Sequence, residues 1–332
     1  MEFDLTRKPI TRRGILRSAA AITGGALAAR FCLPGSIRAA ALGASQEQGA
    51  ADPVAASRAR FASMPIQTQK LTDRTTLLSG PGGNVVVLDG PDGKLLGDTF
   101  VMPAWPHLRD GLAAMGNTPV KVAIDTHWHF DHSDNNAALH ATGAMVIAHE
   151  NTRKRMSETN TLPVINLTFP PAPPDALPQQ TFRESRKLTM NGETVSLVYI
   201  PPAHTDSDIY LHFEKANVLQ AGDVFFNGTY PYIDSGTGGS VSGTIAGLEK
   251  LLTVADNDTK IVPGHGPLGN KADVIKFRDM LSTVRERLQK LKSSGKSVEE
   301  AVAAKPLDDL AAAWDKGLND SAAFVRIAYL AL

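Results

Sequence analysis

Thr126-His127-Trp128-His129-Phe130-Asp131-His132 puts three imidazoles and a carboxylate within six residues, in a chain with nine histidines. Such a run demands a fold that can turn its side chains toward one place. Val122-Ala123-Ile124-Asp125 before it reads as a short buried strand. Ser133-Asp134-Asn135-Asn136 after it is turn and helix-cap chemistry, leading into Ala137-Ala138-Leu139-His140. The run therefore sits on a strand-to-helix loop. His127 and His129, two residues apart, are expected to face one way. Asp131 and His132 are adjacent, so they point apart and could serve a second centre. Imidazole and carboxylate are the ligand set of zinc and similar divalent ions.

HxHxDH after a strand, with single ligands further on, resembles the metallo-β-lactamase-fold superfamily. The later motifs follow in that family's order. Pro201-Pro202-Ala203-His204-Thr205-Asp206 resembles the third-histidine motif, and Gln220-Ala221-Gly222-Asp223 the bridging-aspartate motif. Val262-Pro263-Gly264-His265-Gly266 resembles the last-histidine motif, and Leu95-Leu96-Gly97-Asp98 the opening one. The resemblance spans about Leu77 to Pro267. It implies an α/β (α+β) fold, a four-layer αβ/βα sandwich with the site at the rim where loops of both sheets meet. It implies a first metal on His127, His129 and His204, and a second on Asp131, His132 and His265. Asp223 bridges the two, and Asp98 orients a ligand histidine. Zn(2+), two per chain, is the implied cofactor, and a metal-bound hydroxide attacking an ester, lactone or cyclic amide is the implied chemistry. Asp131 would be the catalytic carboxylate, orienting the hydroxide and carrying a proton to the leaving group.

The resemblance leaves the substrate open. Asp223 at the bridging position and the lack of a thiolate ligand argue away from true β-lactamases of the superfamily. His204-Thr205-Asp206-Ser207-Asp208 and an export signal resemble them. An iron-dependent oxidoreductase or dioxygenase on the same fold is the rival reading, as is a non-catalytic metal-binding protein. The diiron members usually have Glu where this chain has His129, which favours zinc. Asn227, Tyr230 and Tyr232 follow Asp223 closely enough to line a pocket, although Phe225-Phe226-Asn227-Gly228-Thr229-Tyr230 reads equally well as core with a polar turn. His107, His140, His149 and His212 match no motif.

The first forty residues have a different character. Thr11-Arg12-Arg13-Gly14-Ile15-Leu16-Arg17 resembles the twin-arginine export signal, and the apolar stretch after it is too short to span a bilayer. Residues 1–43 are expected to be this signal peptide, cut near residues 39–44, with export machinery as partner and a periplasmic or secreted product. No stable membrane anchor is expected. The only cysteine, Cys32, lies in this leader, so the rest of the chain has no thiolate ligand and no intramolecular disulfide. Lys+Arg and Asp+Glu are equal at 34 each; the leader holds seven basic and two acidic residues, which leaves 27 basic against 32 acidic. A mildly acidic remainder without a basic patch excludes nucleic acid as partner and leaves a small-molecule substrate.

Residues 44–70 read as a loose N-terminal arm, 71–292 as the metal-site domain and 293–332 as a C-terminal helical extension. Gly80-Pro81-Gly82-Gly83-Asn84 reads as a hairpin turn between strands at 75–78 and 85–88. Helices are expected over 107–115, 150–158, 244–254 and 271–291, and strands at 194–200, 209–213, 218–221 and 260–262. The segment 162–180 carries six prolines, which excludes regular helix or central strand and leaves a covering loop or an active-site wall. In the extension, helices are expected over 298–304 and 320–332. The latter carries an apolar stripe of Phe324, Ile327 and Leu330, which suits a core or a homodimer contact.

Overall fold

Val85, Val86 and Val87 are consecutive and all fully buried, so the strand that carries them is covered on both faces. The computed structural model describes residues 52–332. The expected signal peptide and the start of the arm lie outside the described residues. The chain opens with α1 (Pro53–Ala62), β1 (Gln67–Lys70), β2 (Thr75–Gly80), β3 (Gly82–Leu88), β4 (Lys94–Gly97), α2 (Trp105–Ala114) and β5 (Val120–Ile124). It continues through α3 (Phe130–Ser133), α4 (Asn136–Ala141), β6 (Met145–His149), α5 (Glu150–Met156), β7 (Asn160–Leu162), β8 (Leu167–Phe169) and β9 (Gln180–Phe182). A second sheet then follows with β10 (Ser185–Met190), β11 (Glu193–Tyr199), β12 (Ile209–Phe213) and β13 (Val218–Gln220). The last elements are α6 (Val241–Val254), β14 (Lys260–Val262), α7 (Lys271–Ser293), α8 (Val298–Ala303), α9 (Asp308–Trp314) and α10 (Ser321–Leu330).

The first sheet has the order β1-β2-β3-β4-β5-β6-β9, antiparallel as far as β4 and parallel beyond it. The second has the order β10-β11-β12-β13-β14, with only the last pair parallel. Side-chain alternation assigns the layers. Val86 and Leu95 pack with Leu197, Leu211 and Val262 in the seam between the sheets. Val85, Val87 and Leu96 turn the other way, onto Leu108 and Leu112 of α2 and Leu139 of α4. Leu219 and Ile261 face α6, α7 and α10 through Leu248, Phe277, Leu281 and Phe324. The layers thus run helix, sheet, sheet, helix, as the motifs imply.

Four expectations change in detail. The arm is not loose from Asp52 onward: Pro53 starts a helix whose N-cap, the Asp52 side chain, accepts from Val54 N at 2.9 Å. The first sheet begins before residue 71, because β1 pairs with β2 although all four of its residues are exposed. An exposed polar edge strand carries no alternation for a sequence reading to find. The proline-rich stretch folds in part: β7 and β8 form a two-stranded ribbon joining Leu162 to Leu167, and β9, past the last proline, closes the edge of the first sheet. The extension holds a third helix, α9, between the two expected ones.

Every ligand candidate leaves the carboxyl end of a strand or the turn after it. The His127 loop follows β5, His204 follows β11, Asp223 follows β13 and His265 follows β14. This is the end at which α/β sheets present their loops to ligands. A satellite cluster of Phe61, Trp128, Phe130, Leu162, Leu167 and Phe169 packs beside that rim.

Candidate metal centre

Two groups of potential ligands form at the rim. His127, His129, His204 and Asp223 make one, and Asp131, His132 and His265 the other; within each, the ligand atoms lie within 4.8 Å of one another. His204 Nε2 is 2.9 Å from His129 Nδ1. Asp223 stands between the groups. Its Oδ2 is 3.5 Å from His204 Nε2 and 3.9 Å from His127 Nε2. Its Oδ1 is 3.1 Å from His132 Nε2 and 3.5 Å from His265 Nε2. Asp131 Oδ2 lies 3.1 Å from His265 Nε2 and 3.7 Å from His132 Nε2. All seven residues expected from sequence meet in one place.

The backbone there is built for close approach. A Cβ on Gly83 would come within 2.0 Å of the His132 ring, and one on Gly264 within 1.9 Å of Asp223 Oδ1. Gly83 is more than the hairpin residue expected. It is the floor under an imidazole, and any side chain there would displace His132.

Each of four imidazoles spends one nitrogen on the protein. His132 Nδ1 donates to Asp98 Oδ2 at 2.9 Å, and His129 Nε2 to Asp234 Oδ2 at 3.2 Å. His204 Nδ1 donates to the Tyr232 carbonyl at 2.8 Å, and His127 Nδ1 to Thr126 Oγ1 at 3.1 Å. That fixes the tautomers and leaves His132 Nε2, His129 Nδ1, His204 Nε2 and His127 Nε2 as bases turned inward. His127 Nε2, His132 Nε2 and Asp223 Oδ1 are buried and have no hydrogen-bond partner. Buried polar atoms are seldom left so. Divalent ions with an affinity for nitrogen and oxygen, one in each group, would satisfy these atoms, so the donor set fits metal.

The electrostatics agree. Burial pushes the Asp223 carboxyl up, but His132, His265 and His204 together outweigh it and hold the group well below its ordinary range. Burial lowers His265, yet Asp223 and Asp131 raise it to about 9. His132 is likewise raised, chiefly by Asp223 and Asp131 acting against burial. His127 and His204 go down through burial, the latter to about 4. Asp131 and Asp223 thus draw positive charge to His132 and His265, a charge that a bound cation would supply in place of the protons, whereas burial favours the neutral forms of His127 and His204.

Asp98 is found against His132, as expected. Asn227, Tyr230 and Tyr232 all line the cavity over the centre. Tyr230 does so only as a wall: it is fully buried and its ring stacks on Phe324 at 4.6 Å. The Tyr232 ring lies 6.1 Å from His129 and 6.3 Å from His204. His149 is engaged elsewhere, with its Nε2 on the Arg183 carbonyl and its ring stacked on Tyr199. The cavity holds about 930 Å³. Leu162, Ile165 and Leu167 of the proline-rich stretch are among its walls, so that stretch is a wall as well as a cover.

Sequence reasoning missed three contributors. Asp234 orients His129 from a turn in which it also accepts from Gly236 N at 3.0 Å. Asp-Ser-Gly at that point signalled only a turn. Phe61 of α1 stands 5.9 Å from Phe130 and 6.4 Å from His265. The Lys316–Asn319 loop of the extension closes another side.

A family model described as the metallo-beta-lactamase superfamily matches residues 78–265. The acyl-coenzyme A thioesterase MBLAC2 of Gallus gallus is 24% identical over 160 residues, which is 43% of this chain and 56% of the relative. The chain thus spans little more than half the length of that relative. A metallo-beta-lactamase from Pontibacter korlensis superposes with a TM-score of 0.52 at 16% identity, covering 65% of this chain and 99% of that one. The metallo-beta-lactamase IND-7 gives 0.54 at 17% identity, covering 66% and 98%. Both structures share the fold.

Proposed function

Because the chain belongs to the metallo-beta-lactamase superfamily, we propose that it is a metal-dependent hydrolase of a carboxylic acyl bond: an ester, thioester, lactone or cyclic amide. The observation that carries this reading is the pair of buried ligand groups joined by Asp223, with orphaned inward atoms, at the floor of a cavity. The chicken relative, whose name gives an acyl-coenzyme A thioester as substrate, supports an acyl bond as the target.

In this reading His127, His129 and His204 would hold one ion and Asp131, His132 and His265 a second, with Asp223 placed between them. Imidazole and carboxylate without thiolate suit zinc. Two such ions, when bound, supply Lewis acidity and lower the pKa of water to ~7. The chain's own residues do the rest. Asp98, Asp234 and the Tyr232 carbonyl hold the imidazoles in register. Asp131 lines the cavity, where its carboxylate can hold the proton lost by the attacking water and return it to the leaving group. Phe61, Phe130 and Leu167 shield the acyl group from bulk water.

Elemental analysis of the purified protein is expected to find close to two zinc ions per chain. A panel of chromogenic ester, thioester, lactone and β-lactam substrates should show turnover that chelation abolishes and zinc restores. One iron and no zinc would overturn the reading in favour of an oxidoreductase. Two zinc ions with no turnover on any of the four would leave a metal-binding protein without this activity.

We also propose export through the twin-arginine route, on the strength of Arg12-Arg13 and the small-residue stretch that follows. Replacing both arginines by lysine should strand the precursor in the cytoplasm. Undiminished periplasmic protein in that variant, on cell fractionation, would refute it.

A further inference from the structure

The cavity over the metal centre has two origins. The span matched by the family, 78–265, supplies the ligands and the inner walls. The outer walls come from the flanks: α1 on one side of the sequence and the Lys316–Asn319 loop on the other. Both flanking pieces are pinned. Arg58 of α1 binds Asp134, just beyond the ligand Asp131, with Nε at 2.7 Å and a second nitrogen at 2.8 Å. Such a two-pronged pair is directional and holds the helix in register. Asn319 Nδ2 donates to the Pro231 carbonyl at 3.2 Å. Gly317 lies so close to Thr229 that a Cβ there would reach its Oγ1 at 1.9 Å.

Each flank brings one cation and one large apolar side chain. Arg60 and Phe61 come from α1, and Lys316 and Leu318 from the loop. Arg60 and Lys316 are the only Lys or Arg side chains among the lining residues. Among the described residues neither makes an ion pair, whereas Arg58, one turn from Phe61, does. The acidic lining residues are Asp131 and Asp223 alone, and the histidines engage both. Leu318 at 51% exposure and Ile165 at 44% leave apolar surface uncovered at the mouth. Uncovered apolar surface beside unpaired cations is complementary to a ligand with an apolar body and a negative charge.

We propose that these two flanking segments select the substrate, and that the substrate is an anionic amphiphile. Its apolar group lies against Phe61, Phe130 and Leu167, and its anionic group meets Arg60 and Lys316. This rests on the acyl-hydrolase reading only for the bond that is broken; the selection itself is a property of binding.

The test is calorimetric titration of the zinc-loaded full chain with naphthalene-2-sulfonate and with the neutral 2-naphthyl methyl sulfone. The sulfonate is expected to bind about tenfold more tightly than the sulfone. In the Arg60→Ala, Lys316→Ala double variant that preference should vanish, with the affinity for the sulfone held within about twofold. Phe61→Ala should weaken both compounds by about five- to tenfold. Both cations are exposed, so their removal leaves the core intact, and circular dichroism checks this. Equal affinity of the native chain for the two compounds overturns the proposal. So does a preference that survives the double variant, or no binding of either compound. Because no turnover is read, an inactive ester, thioester, lactone and β-lactam panel would defeat the hydrolase reading and leave this result standing.

Discussion

Asp223→Ser is expected to lose ~10–100-fold or more in hydrolysis and to deplete the second metal position, while the fold survives. The two oxygens of Asp223 face different groups: Oδ2 toward His204 and His127, Oδ1 toward His132 and His265. One substitution therefore removes a ligand atom from each side. The first side would retain His127, His129 and His204, all three with tautomers fixed by Thr126, Asp234 and Tyr232. The second would retain Asp131, His132 and His265, of which His265 has, among the described residues, no such fixing partner beyond Asp131 and Asp223 themselves. The second side should suffer more for that reason. The Asp223 carboxylate would also offset the repulsion between two bound dications, so its loss should loosen both. The polypeptide should tolerate the change because Asp223 sits in the short turn after β13, outside the apolar clusters. Bound zinc and turnover must be measured on the same preparation. Full two-metal occupancy with an unchanged rate would show that Asp223 bridges nothing.

The residues of that centre could be read from sequence because their chemistry is rare and their order informative. Three histidines in six positions need no long-range knowledge. His204, Asp223 and His265 were reachable only through the order of the motifs, since nothing local marks a lone histidine or aspartate as a ligand. Asp234 shows the limit. Its partner His129 lies 105 residues away, and its own surroundings carry only a turn signal. Lys94 makes the same point within the fold. It opens a strand where an exposed lysine is ordinary, yet it is buried, with Nζ on the Gly116 and Thr118 carbonyls at 2.8 Å each. A cation that replaces water with backbone carbonyls leaves no trace in hydropathy.

The flanks were illegible for a different reason. Helix α1 reads Pro-Val-Ala-Ala-Ser-Arg-Ala-Arg-Phe-Ala and buries only Val54 and Phe61, too sparse a pattern for the apolar stripe by which helices are recognised. Its position follows from two contacts: the Arg58–Asp134 pair and the insertion of Phe61 beside Phe130. Neither is visible before the fold exists. The Lys316–Asn319 loop likewise lines the cavity only because α7 and α10 carry the extension back across the second sheet. The candidate metal centre is thus encoded in compact motifs, and the outer cavity walls in the tertiary placement of the two flanks.

Asp98→Ala should be the most damaging change to stability near the site, at about 3–5 kcal/mol, with loss of the second metal. The Asp98 carboxylate is fully buried. It accepts from Thr126 N at 2.7 Å, Thr126 Oγ1 at 2.9 Å, His132 Nδ1 at 2.9 Å and Gln220 Nε2 at 3.2 Å. Truncation would leave these buried donors facing an empty space, and each unmet donor costs about 1–3 kcal/mol. The backbone adds to this. Asp98 has φ 67, a left-handed conformation that Asp and Asn tolerate and that costs alanine about 1–2 kcal/mol. Asp98→Asn separates the contributions. It keeps the shape and the left-handed preference, and one oxygen can still accept from Thr126 N. It removes the charge that faces His132 and puts an amide donor where Thr126 Oγ1, His132 Nδ1 and Gln220 Nε2 now donate. Denaturant unfolding should therefore find the asparagine variant well above the alanine one in stability. Zinc titration should find its second site weakened by about 10–100-fold, the scale for losing a group that orients a ligand histidine. If Asp98→Asn bound its second zinc with native affinity, the carboxylate would be a structural tie for Thr126 and Gln220 and not the group that orients His132.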